Sequence, residues 1–328
     1  MDIIDKEILN TIQEAFPLES APFLALGQRF NISETQVLKR VKALKEQGVV
    51  RQISAIFDSV KLGYKSTLVA MQLPPGRLKE AATVINGHPG VTHNYARNHK
   101  FNLWFTITLP GDEELEPAVE SLAKAADAER TLVLPALRSF KIAVVLDLLY
   151  GARADRKRGP IAAKRDGACS LEARDFEVIG ILEQDIPLVP RPFKEMAAKL
   201  AMEEEELLDK ARSYLSTGAM RRFAAVLNHR QAGFVANAMS VWKVPEERVE
   251  EVGQTMAAFS AVTHCYQRPV YPDWPYNLFA MVHGRDKGEC IKVVSAIAEA
   301  TGITDYELLY STQEFKKVRM KYSRKGTP

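Results

Sequence analysis

Cysteine is scarce in this sequence: Cys169, Cys265 and Cys290 are the three present among 328 residues, and no two of them have CxxC spacing. That scarcity argues against a disulfide scaffold and against a cysteine-built zinc or iron–sulfur site, and it points to a reducing cytoplasm. Uninterrupted apolar runs are missing too. Asp147 breaks the run from Ile142 to Leu149, and Met1-Asp2-Ile3-Ile4-Asp5 has no basic region followed by an apolar stretch, so no membrane span and no export signal is expected. An excess of one charge sign is also lacking. The 44 basic and 41 acidic residues leave a net charge of +3, too little by itself to mark a nucleic-acid binder. No P-loop, GxGxxG motif or pyridoxal-type lysine context occurs, which removes the common phosphate-cradling and organic-cofactor classes.

What is present is an ordinary globular composition, 46% apolar and 26% charged, on a chain long enough for two or more domains. The chain is an internal duplication. At an offset of 170, Asp5 matches Asp175, Pro17-Leu18 matches Pro187-Leu188, Pro22-Phe23 matches Pro192-Phe193, and Leu38, Gly48, Arg51 and Gly63 match Leu208, Gly218, Arg221 and Gly233. At 171, Val91-Thr92-His93-x-Tyr95-x-Arg97 recurs as Val262-Thr263-His264-x-Tyr266-x-Arg268, and at 175 Asn102-Leu103 recurs as Asn277-Leu278. The drifts in offset mark loop insertions, the larger being the Pro-rich Pro269 to Tyr276.

Each copy opens with three short helical patterns. In the first copy these are Ile4 to Ile12, Phe23 to Phe30, and Ser33 to Gln47, the last with a Ser33/Gln36 capping box and a Gly48 stop. Arg51 to Phe57 then reads as a wing strand. The remainder alternates as strand (Tyr64 to Leu73), helix (Leu78 to Gly87), hairpin (Val91 to Arg97 and Asn102 to Leu109), helix (Glu113 to Ala126) and closing strand region (Thr131 to Leu148). That order is βαββαβ, the ferredoxin-like split arrangement. The fold class is therefore α+β, a tandem duplication of a winged helix-turn-helix (1–60 and 171–230) followed by a ferredoxin-like domain (61–150 and 231–328). Between the copies, 151–170 is a basic linker carrying six Arg or Lys against two Asp.

Charge separates the two helix-turn-helix units. The third helix of the first carries Lys39, Arg40, Lys42 and Lys45 against Glu34 and Glu46, and so is compatible with phosphates. Its counterpart opens with Glu203, Glu204, Glu205 and Glu206, where a recognition helix would meet base edges. Four carboxylates there oppose a polyanion, so DNA binding is not expected and the second unit reads as a structural or dimerisation remnant.

In an extended strand, alternate residues share a face, which puts His93, Tyr95 and Arg97 together, and likewise His264, Tyr266 and Arg268. A hairpin pairing Arg97 near Asn102 sets Tyr95 opposite Trp104 and His93 opposite Thr106. Among six histidines only His93 and His264 are duplicated; His88, His99, His229 and His283 meet other residues in the other copy. Lys100 in the first hairpin turn is a further candidate, and the stiff aromatic loop from Pro269 to Tyr276 is a candidate lid, although Pro-rich loops are more often only rigid connections. Arg138, Lys141 and Lys316 on the closing strands offer either further carboxylate contacts or a solvated strand edge, the latter being the safer reading.

The winged helix-turn-helix plus βαββαβ architecture resembles the Lrp/AsnC family of regulators. Val-Thr-His-x-Tyr-x-Arg leading into Asn-Leu-Trp-Phe-Thr at 102–106 resembles a branch of it, the sirohaem decarboxylases. The resemblance implies removal of carbon dioxide from two acetates of sirohaem to give didecarboxysirohaem, on a route to haem or to d-type haem. No cofactor is implied beyond the iron tetrapyrrole that serves as substrate and leaves as product. It implies catalytic roles for His93, His264, Tyr95 and Tyr266, and substrate binding by Arg97, Arg268, Trp104 and Lys100. One of His93 and His264 is an axial iron ligand or a general acid with an ordinary pKa near ~6.5; the residue types do not divide these jobs between them. The fused halves are expected to form an internal pseudo-dimer, with further homo-oligomers open. A regulator and a tetrapyrrole sensor are the competing functions.

Overall fold

The computed structural model describes residues 1–74, 76–142, 148, 168–228, 231, 233 and 236–322. Of the expected linker 151–170 only Ala168, Cys169 and Ser170 fall among these, and His229 lies outside them.

The first helical unit forms as its apolar spacing dictates. Helix α1 (Ile3–Glu14) starts at a capping box between Asp2 and Asp5, α2 (Pro22–Phe30) begins on a proline, and α3 (Glu34–Glu46) starts at the Ser33/Gln36 box. Their inward stripes, Ile8, Leu9, Ile12, Phe23, Val37, Val41 and Leu44, are buried. The turn between α2 and α3 runs so close that a Cβ on Gly27 would lie 2.6 Å from the Ile32 carbonyl oxygen. The second unit repeats this with α6 (Ala173–Leu182), α7 (Pro192–Ala198) and α8 (Glu204–Thr217). One apolar cluster runs through both units, linking Phe16 and Phe23 to Phe193 and Phe223. The wings do not project. Strand β1 (Val50–Phe57) pairs antiparallel with β7 (Met220–Leu227), Ala55 lying opposite Phe223.

The remaining strands build one nine-stranded sheet. In the first copy these are β2 (Tyr64–Gln72), β3 (Val91–Arg97), β4 (Leu103–Pro110), β5 (Arg130–Pro135) and β6 (Arg138–Ile142), with helices α4 (Leu78–Gly87) and α5 (Leu115–Ala125). The second copy supplies β8 (Ala236–Trp242), β9 (Val262–Gln267), β10 (Leu278–Gly284) and β11 (Tyr306–Lys317), with α9 (Val249–Ala258) and α10 (Lys287–Thr301). Strand order is β5-β2-β4-β3-β11-β8-β10-β9-β6.

This order departs from two self-contained four-stranded sheets. The closing region of the first copy divides: β5 pairs with β2 of its own half, and β6 pairs with β9 of the other. Reciprocally, Tyr306 to Tyr310 of β11 pair with β8, and Ser311 to Lys317 cross to β3. The closing element is longer than one sheet needs, and β3 and β9 each end their own half with an unpaired backbone edge, so the exchange satisfies both edges.

The exchanged strands are locked at their ends. Lys141, 7% exposed, donates from Nζ to the Phe259 carbonyl at 2.8 Å, and Lys316 donates to Asn86 O at 2.8 Å and His88 O at 3.3 Å. Each ammonium therefore caps the carbonyl end of a helix, α9 or α4, in the opposite half, where the helix dipole favours a cation. The solvated-edge reading fails for both lysines because their partners come from the other copy; Arg138 stays exposed and pairs with Glu250.

Phe140 packs into the second half's core, where a Cβ on Gly253 would sit 2.5 Å from its ring. Gly253→Ala should therefore cost about 1–3 kcal/mol through overpacking. A lower urea midpoint at unchanged slope is the expected result, and wild-type stability would show that β6 does not lie against α9.

Candidate active site

The strand alternation sorts the repeated motif as its spacing requires. Asn94 turns to the helix side, donating from Nδ2 to Asn86 Oδ1 at 3.0 Å, and its counterpart Cys265 approaches Gly253 O at 3.8 Å. His93, Tyr95 and Arg97 take the inner face, as do His264, Tyr266 and Arg268. The expected register is present: His93 lies opposite Thr106, Tyr95 opposite Trp104, and the Arg97 amide donates to Asn102 O at 3.0 Å. Ring centroids of His93 and Tyr95 are 6.3 Å apart, those of His264 and Tyr266 6.1 Å. The guanidinium carbons of Arg97 and Arg268 lie 5.9 Å and 4.9 Å from their tyrosine ring centroids.

Strand exchange turns both ladders toward one cavity of about 1680 Å³, walled by the inner sheet face and by the paired wings β1 and β7. Pockets for ordinary small ligands are roughly 300–1,000 Å³, so this one has room for a macrocycle. His93 and His264 share hydrogen bonds from Nδ1 with the hydroxyls of Thr92 (3.0 Å) and Thr263 (3.1 Å), which leaves Nε2 of each for a ligand. Burial pushes His93 down to about 4, assisted by Lys317 and Arg51. It pushes His264 down to about 3, assisted by Arg221, His93, Arg222 and Arg268. The expectation of a histidine with an ordinary pKa is thereby corrected: both imidazoles are neutral at neutral pH, because a desolvated cation among other cations is unfavourable.

The arginines join the halves as well as the cavity wall. Arg97, 8% exposed, donates from Nη1 to Leu309 O of β11 at 2.8 Å, and Arg268 donates to Leu134 O of β5. Burial lowers the Arg97 guanidinium to about 10, and its Nε finds no acceptor among the described residues. Buried donors are rarely left so, and a carboxylate in the cavity is a fitting acceptor.

Trp104, 1% exposed, forms part of the cavity wall and donates from Nε1 to Phe101 O at 2.6 Å. Lys100 is not brought to the cavity. Phe101 turns fully inward, which leaves Lys100 exposed at the turn, its Nζ 5.4 Å from the Phe101 ring centroid. The loop Pro269 to Tyr276 is no lid either: none of its residues lines the cavity. Trp274, 0% exposed, packs on Trp104 (centroids 5.4 Å) and Phe101 (5.7 Å), and Tyr271 donates to Val133 O, so the loop fills space behind the wall.

Several wall residues escaped the sequence reading. Arg51 and Arg221 registered only as matching repeat positions; with Arg222 they hang from the paired wings. Lys317 at the end of β11 and Arg319 and Lys321 in the segment after it also enter, and Arg319 donates to Ser54 Oγ and to Ala55 O at 3.2 Å. The available signal was the basic run Lys316 to Lys321, against the apolar Lys141 to Leu146 in the first copy. Glu183 also lines the cavity; burial pushes its carboxyl up to about 7, against the pull of the Tyr322 amide, Arg319 and Lys321. His283, set aside because it is not duplicated, lines the cavity beside His264. Among the described residues no group of three His, Cys, Asp or Glu side chains could hold a metal ion of the protein's own.

The lowered histidines set a pH dependence of stability. A histidine near 6.5 when unfolded and near 4 or 3 when folded takes up its proton preferentially in the unfolded chain, so stability is complete above about 6.5 and declines as pH falls toward 4. Melting temperatures of the ligand-free protein should fall over that window, and the His93→Gln/His264→Gln double variant should flatten the decline. An equally steep decline in the variant would place the responsible groups elsewhere.

Comparison with known proteins agrees with this geometry. The AsnC-like ligand-binding domain model matches residues 61–141 and 231–316, and the helix-turn-helix domain model of NirDL-like sirohaem decarboxylases matches 5–51 and 175–221. The chain is 44% identical to a sirohaem decarboxylase of Hydrogenobacter thermophilus, over 96% of this chain and 94% of that protein. It is 34% identical to a sirohaem decarboxylase NirDL subunit of Paracoccus pantotrophus, over 97% and 96%. The crystal structure of the sirohaem decarboxylase NirDL in complex with an iron-uroporphyrin III analogue superposes with a TM-score of 0.74, at 40% identity, covering 98% of this chain and 95% of that one. With both halves matched along nearly their whole length, the chain belongs to the sirohaem decarboxylase family.

Proposed function

We propose that this protein is a sirohaem decarboxylase, a carboxy-lyase that removes carbon dioxide from two acetate side chains of sirohaem to give 12,18-didecarboxysirohaem on a route to haem or d-type haem. One observation carries the reading: two His-Tyr-Arg ladders face a single macrocycle-sized cavity whose wall holds Arg51, Arg221, Arg222, Lys317, Arg319 and Lys321. Sirohaem is a flat iron tetrapyrrole edged with carboxylates, so it needs aromatic faces, many cations and an imidazole for its iron. Arg97 and the wing and tail cations hold carboxylates through charge-assisted bonds worth roughly 1.5–3 kcal/mol each.

Cleavage of the bond between the methylene and carboxyl carbons leaves an electron pair on the methylene carbon, which the conjugated ring absorbs until protonation gives a methyl group. The substrate ring is thus its own electron sink, and no further cofactor is called for. A neutral imidazole is the form that ligates iron, so one histidine takes the iron and the other faces the reacting methylene. Tyr95 and Tyr266, flanked by histidine and arginine on each ladder, position the acetates.

The regulator reading is weakened by the same fold. The wings are consumed in pairing with each other, and on α3 Arg40 is held by Asp2 (2.8 Å) and Asp5 (2.7 Å) and Lys45 by Asp185. Glu204 at the start of α8 is bound by Arg191 and by Ser20 of the first unit, a contact between the halves. DNA is not a partner in this reading, and the site of action is the cytoplasm. Among the described residues no helix is long and apolar enough to cross a membrane.

Anaerobic incubation with sirohaem, followed by mass spectrometry of the extracted tetrapyrrole, should show loss of two carbon dioxide units. His93→Ala or His264→Ala should abolish that loss in at least one case. Sirohaem that stays bound and unchanged would identify a sensor instead, and full rates in both variants would end the histidine mechanism.

A further inference from the structure

The two half-sites differ where the pseudo-symmetry predicts identity. In the first half, Thr108 lies opposite Ser66 across β4 and β2, and their hydroxyls are 3.0 Å apart. The same position in the second half is His283, opposite Asn237 across β10 and β8. His283 lines the cavity, and its Nδ1 lies 3.3 Å from the Thr263 hydroxyl, which is also 3.1 Å from Nδ1 of His264. One hydroxyl thus lies between two imidazoles on neighbouring strands, with the Met281 carbonyl a more distant acceptor at 3.4 Å. On the first ladder, the Thr92 hydroxyl meets Nδ1 of His93 at 3.0 Å, and Thr108 offers no imidazole to extend the line.

Resting on the decarboxylase reading, we propose that Thr263 and His283 are positioning residues of a proton relay that makes His264 the proton donor to the decarboxylated methylene and leaves His93 as the iron ligand. A hydroxyl can accept one proton while giving another, and the step balances on that basis. The Nε2 proton of His264 passes to the carbon carrying the electron pair left by carbon dioxide. The Thr263 hydroxyl proton moves to Nδ1 of His264, which stays neutral throughout. The Nδ1 proton of neutral His283 moves to the Thr263 oxygen while its Nε2 takes up a proton from solvent, to which its half-buried position gives access. Each acetate consumes one solvent proton and releases one carbon dioxide; before the second, the line runs backwards, His264 taking a proton at Nε2 from solvent and His283 returning one, so that both imidazoles recover their starting tautomers. The first ladder, without the extension, has no such supply, which assigns the two jobs that the duplicated motif alone leaves undivided. The low proton affinity of His264 fits a donor that never carries a full charge.

Three variants and a mirror test this in steady-state turnover of sirohaem. Thr263→Val keeps the shape of the side chain and removes the hydroxyl; His283→Thr copies Thr108. Each should lower kcat about a hundredfold or more, the scale of positioned proton transfer, with KM and the absorption spectrum of bound sirohaem unchanged. Thr263→Ser should restore the rate. The mirror variant Thr92→Val should instead shift the spectrum of the bound iron tetrapyrrole, because it releases the ring of the ligating histidine. Wild-type kcat in His283→Thr, or a serine variant as slow as the valine one, would overturn the relay. A spectral shift in Thr263→Val with none in Thr92→Val would reverse the assignment of the histidines and so also overturn it. Wild-type protein that binds sirohaem and releases no carbon dioxide would instead overturn the decarboxylase reading, an outcome seen before any variant is made.

Discussion

Pairing of each closing strand with the other half's exposed edge is the contact on which the rest depends. Strand β6 lies on β9 and the end of β11 lies on β3, so the two strands that carry the chemistry are each held by the opposite copy. Backbone edges inside a protein must find partners, and here that requirement makes two domains into one sheet with a shared interior. Lys141, Lys316, Arg97 and Arg268 all donate to carbonyls across these two seams. Loss of the exchange would separate the ladders and open the cavity at once.

The cavity so formed carries an internal electrostatic tension. It gathers cations in a water-poor space, and burial answers by stripping protons from the groups able to lose them: both histidines are held neutral, and Arg97 and Arg222 are lowered to about 10. A polycarboxylate entering this space relieves the repulsion and gains undiluted attraction, since the surrounding dielectric is low for both. Affinity for such a ligand is therefore stored in the empty protein as unfavourable charge crowding. The neutral state of the imidazoles, forced by the same crowding, is the state that iron ligation requires.

Duplication within one chain lets the halves diverge while staying in register. The core and the ladder are kept in both, as the matched ring spacings of 6.3 Å and 6.1 Å indicate. The differences fall on the wall: Thr108 against His283, Trp104 against Phe279, and a basic tail after β11. The helix-turn-helix units have been recruited as roof, their wings joined and their charged helices tied down by Asp2, Asp5, Asp185 and Arg191. A site needing two different jobs from one motif gains from such asymmetry.

The sequence by itself determined the duplication, the helix and strand order of each copy, the hairpin register and the face shared by His93, Tyr95 and Arg97, because these follow from local periodicity and turn chemistry. It did not reveal which edge β6 and β11 would choose, since a strand pattern specifies what a strand buries and not which chain segment lies beside it. For the same reason Lys141 and Lys316 read as solvated, the Pro269–Tyr276 loop stood open between lid and rigid connection, and His283 was passed over. Each of those assignments is decided by a neighbour more than ten residues away in sequence. Proton affinities lay further still from the one-dimensional record, because burial and the crowding of distant cations exist only once the chain has closed around its cavity.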